Sequence, residues 1–250
     1  MDSGAVSSIT FVVIFGSALI GMRLRAALPA HHLRDESRDV VELGIGLVGV
    51  MAALVLGLLV SSAKTSYDLQ STELTQMSAN VVLLDRVFAH YGPEAQEERE
   101  LLRKAVFGVL DQMWSKDNGG PSGSAPTFGA EALYEKIQGL SPKDDRQRSL
   151  QSEALSMAMT FGQMRWLIYG QRQTTVSKPL LIVVVFWLAT IFLIWGLLAP
   201  PNGTLLAIFF ISALSVSGAI FLILEMYDPY QGLMRLSDAP LRAVLAHLGQ

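Results

Sequence analysis

Not one Asp, Glu, Lys or Arg occurs in the 46 residues 179–224, and none in the 21 residues 43–63. Roughly 18 or more consecutive uncharged, apolar residues match the thickness of bilayer hydrocarbon, and a single segment satisfies its own backbone there only as a helix. Four such segments can be placed. Residues 5–22 form the first, closed by Arg23 and Arg25. Residues 43–63 form the second, about 31 Å of helix at 1.5 Å per residue. Residues 180–199 and 205–224 divide the long uncharged tract, because Pro200-Pro201-Asn202-Gly203 cannot continue a helix and suits a tight turn. Spans three and four are therefore expected as an antiparallel hairpin. The first run is expected to be a retained span, since Met-Asp-Ser-Gly ahead of it lacks the basic residues of a signal peptide.

Composition agrees. The chain is 51% hydrophobic and 16% charged, against about 25% charged for ordinary soluble domains. Its 19 basic and 22 acidic residues leave a net charge of −3, so there is no basic excess for nucleic acid. Cysteine is absent, which excludes disulfides, thiolate catalysis and cysteine metal sites, and leaves the redox compartment open.

Residues 64–177 separate spans two and three and are polar but patterned. Leu74, Met77, Val81, Leu84 and Phe88 recur at steps of 3, 4, 3 and 4, one face of a helix. No Pro or Gly intervenes between Lys64 and Tyr91, so span two is expected to run on as one long helix until Gly92-Pro93. A second helix is expected from Glu94 to about Ser115, with Leu102, Ala105, Val106, Val109 and Met113 as its apolar stripe. Glu94, Glu97 and Glu98 lie at the favourable end of its dipole. Residues 117–128, DNGGPSGSAPTF, read as a flexible loop. A short helix is expected over 131–138. Ser141-Pro142-Lys143-Asp144 opens another, with Ser141 as N-cap and Pro142 in its first position. Along it Leu150, Ala154, Met157, Phe161, Met164 and Ile168 repeat at 4, 3, 4, 3 and 4. The two matched stripes are expected to pack together. Residues 225–250 read as a C-terminal tail.

No catalytic or metal motif stands out, and neither an enzyme nor a cofactor is expected. His31 and His32 are adjacent and diverge on a helix, while His90 and His247 are isolated. Gly44, Gly46 and Gly49 lie within a span and lack the Lys-Ser/Thr ending of a phosphate loop. The small residues say more. Gly49, Ala53 and Gly57 lie four apart on span two, and Ala213 and Ser217, like Leu214 and Gly218, lie four apart on span four. Such faces let helices approach closely, within a chain or between subunits. Thr10, Ser17, Ser61, Ser62, Ser212, Ser215 and Ser217 offer hydroxyls to a pore or to their own helix carbonyls. No ionisable residue falls at mid-membrane, which argues against a proton-coupled pump. Glu42 and Glu225 mark opposite edges of the spans and are the candidate charged mouths of a cation path.

Three stretches carry a resemblance: HLRDESRDVVELGIGLVGVMAALVLGLLVSSAKTSYD (32–68), VVLLDRVFAHYGPEAQEERELLR (81–103) and SALSVSGAIFLILEMYDPYQGLMRLSDAPL (212–241). Together with the span layout they resemble a bacterial membrane family described as bestrophin-like and otherwise catalogued as a domain of unknown function. Bestrophins are pentameric anion or cation channels with four spans, cytoplasmic termini and a helical cytoplasmic region between spans two and three. The resemblance thus implies a homo-oligomer, with a pentamer as its model. The chain departs from bestrophins in the aromatic neck, because span two holds no Phe, Tyr or Trp.

These readings give an all-α integral membrane protein of four transmembrane helices, with a helical extramembrane insert between spans two and three. Its surroundings are membrane lipid, in the bacterial inner membrane. Residues 23–42 hold four Arg, while Lys64, Arg165, Arg172, Lys178, Arg235 and Arg242 flank the other side, so termini and insert are expected in the cytoplasm. Two functions stay open: a weakly selective oligomeric channel, or a non-conducting scaffold whose insert binds a protein partner.

Overall fold

The computed structural model describes residues 2–27, 35–114, 130–171, 177–200 and 202–248. The loop expected at 117–128 and the pair His31–His32 lie outside the described residues. Among those described, the regular elements are all helical: α1 (Ser3–Ala27), α2 (Asp35–Tyr91), α3 (Gln96–Trp114), α4 (Ala130–Gly139), α5 (Asp145–Gln171), α6 (Lys178–Leu198), α7 (Gly203–Tyr227) and α8 (Ala239–His247). Parts of α1, α2, α6 and α7 are long and apolar enough to cross a membrane.

Helix ends follow local chemistry. The 57-residue α2 stops at Gly92, whose φ of 125° is open to glycine, and Pro93 starts a 3-10 turn through Ala95. Helix α5 starts later than the sequence suggested. Its N-cap is Asp144 rather than Ser141: Asp144 Oδ1 accepts the Gln147 amide at 2.7 Å, while Gln147 Oε1 accepts the Lys143 amide at 2.8 Å. Asp144 outcompetes Ser141 because its carboxylate forms a charge-assisted bond at the positive end of the helix. Asn202 caps α7 in the same way, accepting the Leu205 amide at 2.9 Å.

The chain forms two compact units, with α2 contributing to both. The first comprises residues 1–66 and 175–227. In it α1 packs on α6 and on α7. Ile14, Ala18, Phe192, Phe209 and Ala213 make its core, with Phe11, Phe15 and Leu188 packed against them. Phe210 meets Phe11 and Phe15 edge-on, with centroids 5.4 and 5.6 Å apart, a favoured aromatic geometry.

The second unit comprises residues 67–174 and 228–250. Leu74, Met77, Val81, Leu84 and Phe88 of α2 are all buried in one core with Ala154, Phe161 and Ile168 of α5 and the apolar stripe of α3. Asn80 Nδ2 donates to the Met157 carbonyl at 3.1 Å, tying the two stripes at one level. Residues 228–248 are structured too. Leu241 and Val244 of α8, with Tyr230, Leu236 and Leu248, enter this core, and Trp114 donates its indole N–H to the Leu236 carbonyl at 3.0 Å.

Candidate functional site: a groove and a bare face on α2

Three hydrogen bonds set the order of the spans in the first unit. Ser3 Oγ donates to Glu225 Oε1 at 2.5 Å, Ser7 Oγ donates to the Ser217 carbonyl at 2.8 Å, and Arg25 donates to the Leu198 carbonyl. Helix α1 therefore runs antiparallel to α7 and parallel to α6. Ser62 and Tyr227 share a hydrogen bond of 3.0 Å, which puts this part of α2 at the end where α7 finishes. Arg25, Leu198 and the start of α7 occupy the other end.

Close helix contact falls on glycines that the four-residue pattern did not single out. A Cβ on Gly21 would collide with the carbonyl of Leu193, and one on Gly196 with the carbonyl of Ala18. Here α1 and α6 approach backbone to backbone. Gly49 and Gly57 behave differently: a Cβ on either would meet nothing within 4 Å. Among the described residues these two glycines make no close helix approach, because no described helix sits against them. On α7, Ala213 and Ser217 are buried, and Ser217 meets α1 through its carbonyl. The signal for Gly21 was present as Ser17 four residues earlier; Gly196 lacks such a partner on its own helix.

Beside α2 lies a groove of about 890 Å³, lined by Gly46, Gly49 and Ala53 of α2, Phe192 and Trp195 of α6, and Phe209 of α7, among others. Among the described residues, Glu42 is its single charged lining residue. Nothing among the described residues covers the other side of α2. Leu43, Leu47, Val50, Leu54 and Leu58 are 59–77% exposed and, at 100° per residue, lie opposite the groove. Of the four spans α2 is the least covered, with 17% of its apolar window buried against 22–28% for the others.

Glu42 lines the groove, whereas Glu225 is buried and receives the Ser3 hydroxyl. The two stand at opposite ends of the span arrangement. Several hydroxyls are spent on their own helices: Thr10 donates to Val6 O at 2.9 Å, Ser17 to Val13 O at 2.7 Å and Ser215 to Ile211 O at 2.9 Å. Ser212 lines the groove.

The second unit holds charged groups that sequence reasoning passed over. Arg99 donates from Nε and Nη2 to both oxygens of Asp85, at 2.8 and 2.9 Å, in a largely buried bidentate pair. The pair holds the Arg99 pKa above its ordinary value, mainly through the hydrogen bond to Asp85. Glu98, next to it, is buried, and desolvation pushes its carboxyl up against the opposing effect of a backbone hydrogen bond. Arg165 packs over the Phe161 ring, 5.9 Å from the centroid, and desolvation lowers its pKa. Asp85 and Arg99 are 14 residues apart on different helices, so no local spacing announces them.

A family model described as a bestrophin-like domain matches residues 11–241. No curated protein and no solved structure matches the chain.

Proposed function

The chain belongs to the bestrophin-like family, and from that premise we propose that it is an oligomeric, weakly selective ion channel. The observation that carries this reading is the bare aliphatic face of α2, Leu43, Leu47, Val50, Leu54 and Leu58. Copies of the chain arranged about an axis, five on the bestrophin pattern, would turn these faces towards one another. An aliphatic ring of this kind gates by excluding water, and with no fixed charge it discriminates weakly among ions. Selectivity then rests on charges at the mouths. Glu42 stands at one end of the spans on the groove side of α2, so it acts on that mouth through its field rather than by lining the axis, and Glu225, at the other end, acts through its contact with Ser3.

The setting proposed is the bacterial inner membrane, with both termini and the second unit in the cytoplasm. The test is current from purified protein in planar bilayers. A current with modest preference among monovalent ions supports the reading. Glu42→Gln should shift the reversal potential towards anions, more at low salt than at high salt, because screening weakens a mouth charge. No current above the protein-free background would reject it.

A non-conducting scaffold is the second reading, and a specific observation favours it. The second unit exposes large apolar side chains, Phe107 at 64% and Trp166 at 52% among them, which is what a docking surface for a protein partner offers.

A further inference from the structure

The groove on the opposite side of α2 has a chemistry separate from the bare face. From Glu42 to Leu56 it follows α2 over fifteen residues, about 21 Å across their 14 steps of 1.5 Å. Bilayer hydrocarbon is roughly 30 Å thick, so the groove starts at one edge and passes the midplane. Its volume of about 890 Å³ falls within the range of small-molecule sites, roughly 300–1,000 Å³. A Cβ on Gly46 or Gly49 would meet nothing within 4 Å, so the hollow reaches the α2 backbone and no described side chain fills it. Water has little reason to enter a slot walled by Ile45, Phe192 and Phe209.

Apart from the Ser212 hydroxyl, the polar side chains of the lining lie at one end. Glu42 and Trp195 line the groove there, and Arg25 reaches the same end through its bond to the carbonyl of Leu198, itself a lining residue. A guanidinium has five N–H donors, so Arg25 can also face an anion. Carboxylate, indole and guanidinium at one mouth, with an apolar slot behind them, complement a zwitterionic head on a long chain. An indole at the membrane edge is the usual neighbour of a lipid headgroup.

We propose that the groove binds a zwitterionic membrane phospholipid with a primary amine head, of the phosphatidylethanolamine class. One acyl chain lies along Gly46, Gly49 and Ala53, the ammonium meets Glu42 beside Trp195, and the phosphate meets Arg25. A primary ammonium donates hydrogen bonds to a carboxylate, which a choline head cannot, and a glycerol head carries no cation at all. The headgroup order is therefore ethanolamine first, with choline and glycerol behind. The proposal does not depend on conduction, and its readout is bound lipid rather than current.

The test is native mass spectrometry of the full chain in detergent. It is mixed with equal amounts of phosphatidylethanolamine, phosphatidylcholine and phosphatidylglycerol of the same acyl chains. Wild type should retain the ethanolamine lipid at least fivefold over the other two. Glu42→Gln should cut that preference at least threefold while lipid is still retained through its chain. Gly49→Leu, which fills the groove without meeting the chain's own atoms at Cβ, should lower total retention at least fivefold. Gly57→Leu, on the same helix but outside the groove, should match wild type. Equal retention of the three lipids by wild type overturns the proposal, as does wild-type retention by Gly49→Leu. A changed oligomer mass in Gly49→Leu at unchanged lipid count also overturns it, in favour of a second copy of the chain in the groove.

Discussion

Adding one methyl group at Gly196 should unsettle the protein, and adding one at Gly49 should not. At Gly196 the new Cβ would run into the Ala18 carbonyl, and three backbone atoms of Ala18 stand around it. Backbone cannot swing aside as a side chain tip can, so α1 and α6 must part along a seam that also buries Ile14 and Phe192. Overpacking of this kind costs about 1–3 kcal/mol. In a chain of this size each kcal/mol moves the midpoint by about 2–4 °C, so Gly196→Ala should lower it by about 2–12 °C. At Gly49 the Cβ meets nothing. The helix gains only the backbone preference of Ala over Gly, up to about 1 kcal/mol, and the midpoint should hold or rise by a few degrees. Thermal unfolding in detergent, followed by intrinsic fluorescence and by loss of the size-exclusion peak, reads both. Gly196→Ala melting with wild type while Gly49→Ala falls would refute the account of which glycines carry helix contact.

The second unit offers three further tests. Asp85→Ala leaves the Arg99 guanidinium buried without its carboxylate, a loss of about 3–5 kcal/mol; replacing both residues with Leu should recover much of it in the same melting assay. Leu84→Asp or Phe161→Asp puts a charge at a fully buried position and should sharply lower the yield of folded protein, and wild-type yield from both would remove the claim that these stripes face one core. Glu98 gives a pH dependence. Burial raises its pKa above the ordinary 4.5, so the folded chain holds this proton more tightly than the unfolded chain, and stability falls as pH rises from 4.5 through the raised value. Glu98→Gln should therefore stabilise the protein at pH 7, by an amount that shrinks towards pH 4.5; a gain that grows on acidification would contradict this.

Some of this was legible in the sequence for a simple reason. A bilayer demands uninterrupted apolar helices, so the charge-free runs announced four apolar helices, and the 3-4 steps of Leu74 to Phe88 marked one buried side of a helix. The three quoted stretches pointed to the family whose model covers residues 11–241. Periodicity says which side of a helix is apolar but not what covers it. Gly49 and Gly57 showed the small-residue spacing, yet the backbone contact lies at Gly21 and Gly196, because the seam joins two helices far apart in sequence. The Asp85–Arg99 pair was invisible in the same way: each residue reads alone as a solvated charge. Residues 239–247 were passed over because a nine-residue helix is too short to show a period, and its buried Leu241 and Val244 gain meaning from the core they enter. Asp144, the cap of α5, was masked because Ser141-Pro142 offers a competing start three residues earlier. The groove could not be read at all, since it is defined by what three helices leave unfilled.

The central claim is that α2 turns an aliphatic face to a conducting axis, and single-channel current from paired serine variants tests it most directly. Leu54 is 70% exposed on the bare side, while Leu56 lines the groove on the other. Leu54→Ser wets a hydrophobic constriction and should raise open-channel current several-fold over wild type. Leu56→Ser, two residues on, should leave it within error of wild type. No current from correctly assembled protein across voltage and calcium, or an increase from Leu56→Ser with none from Leu54→Ser, would contradict the account.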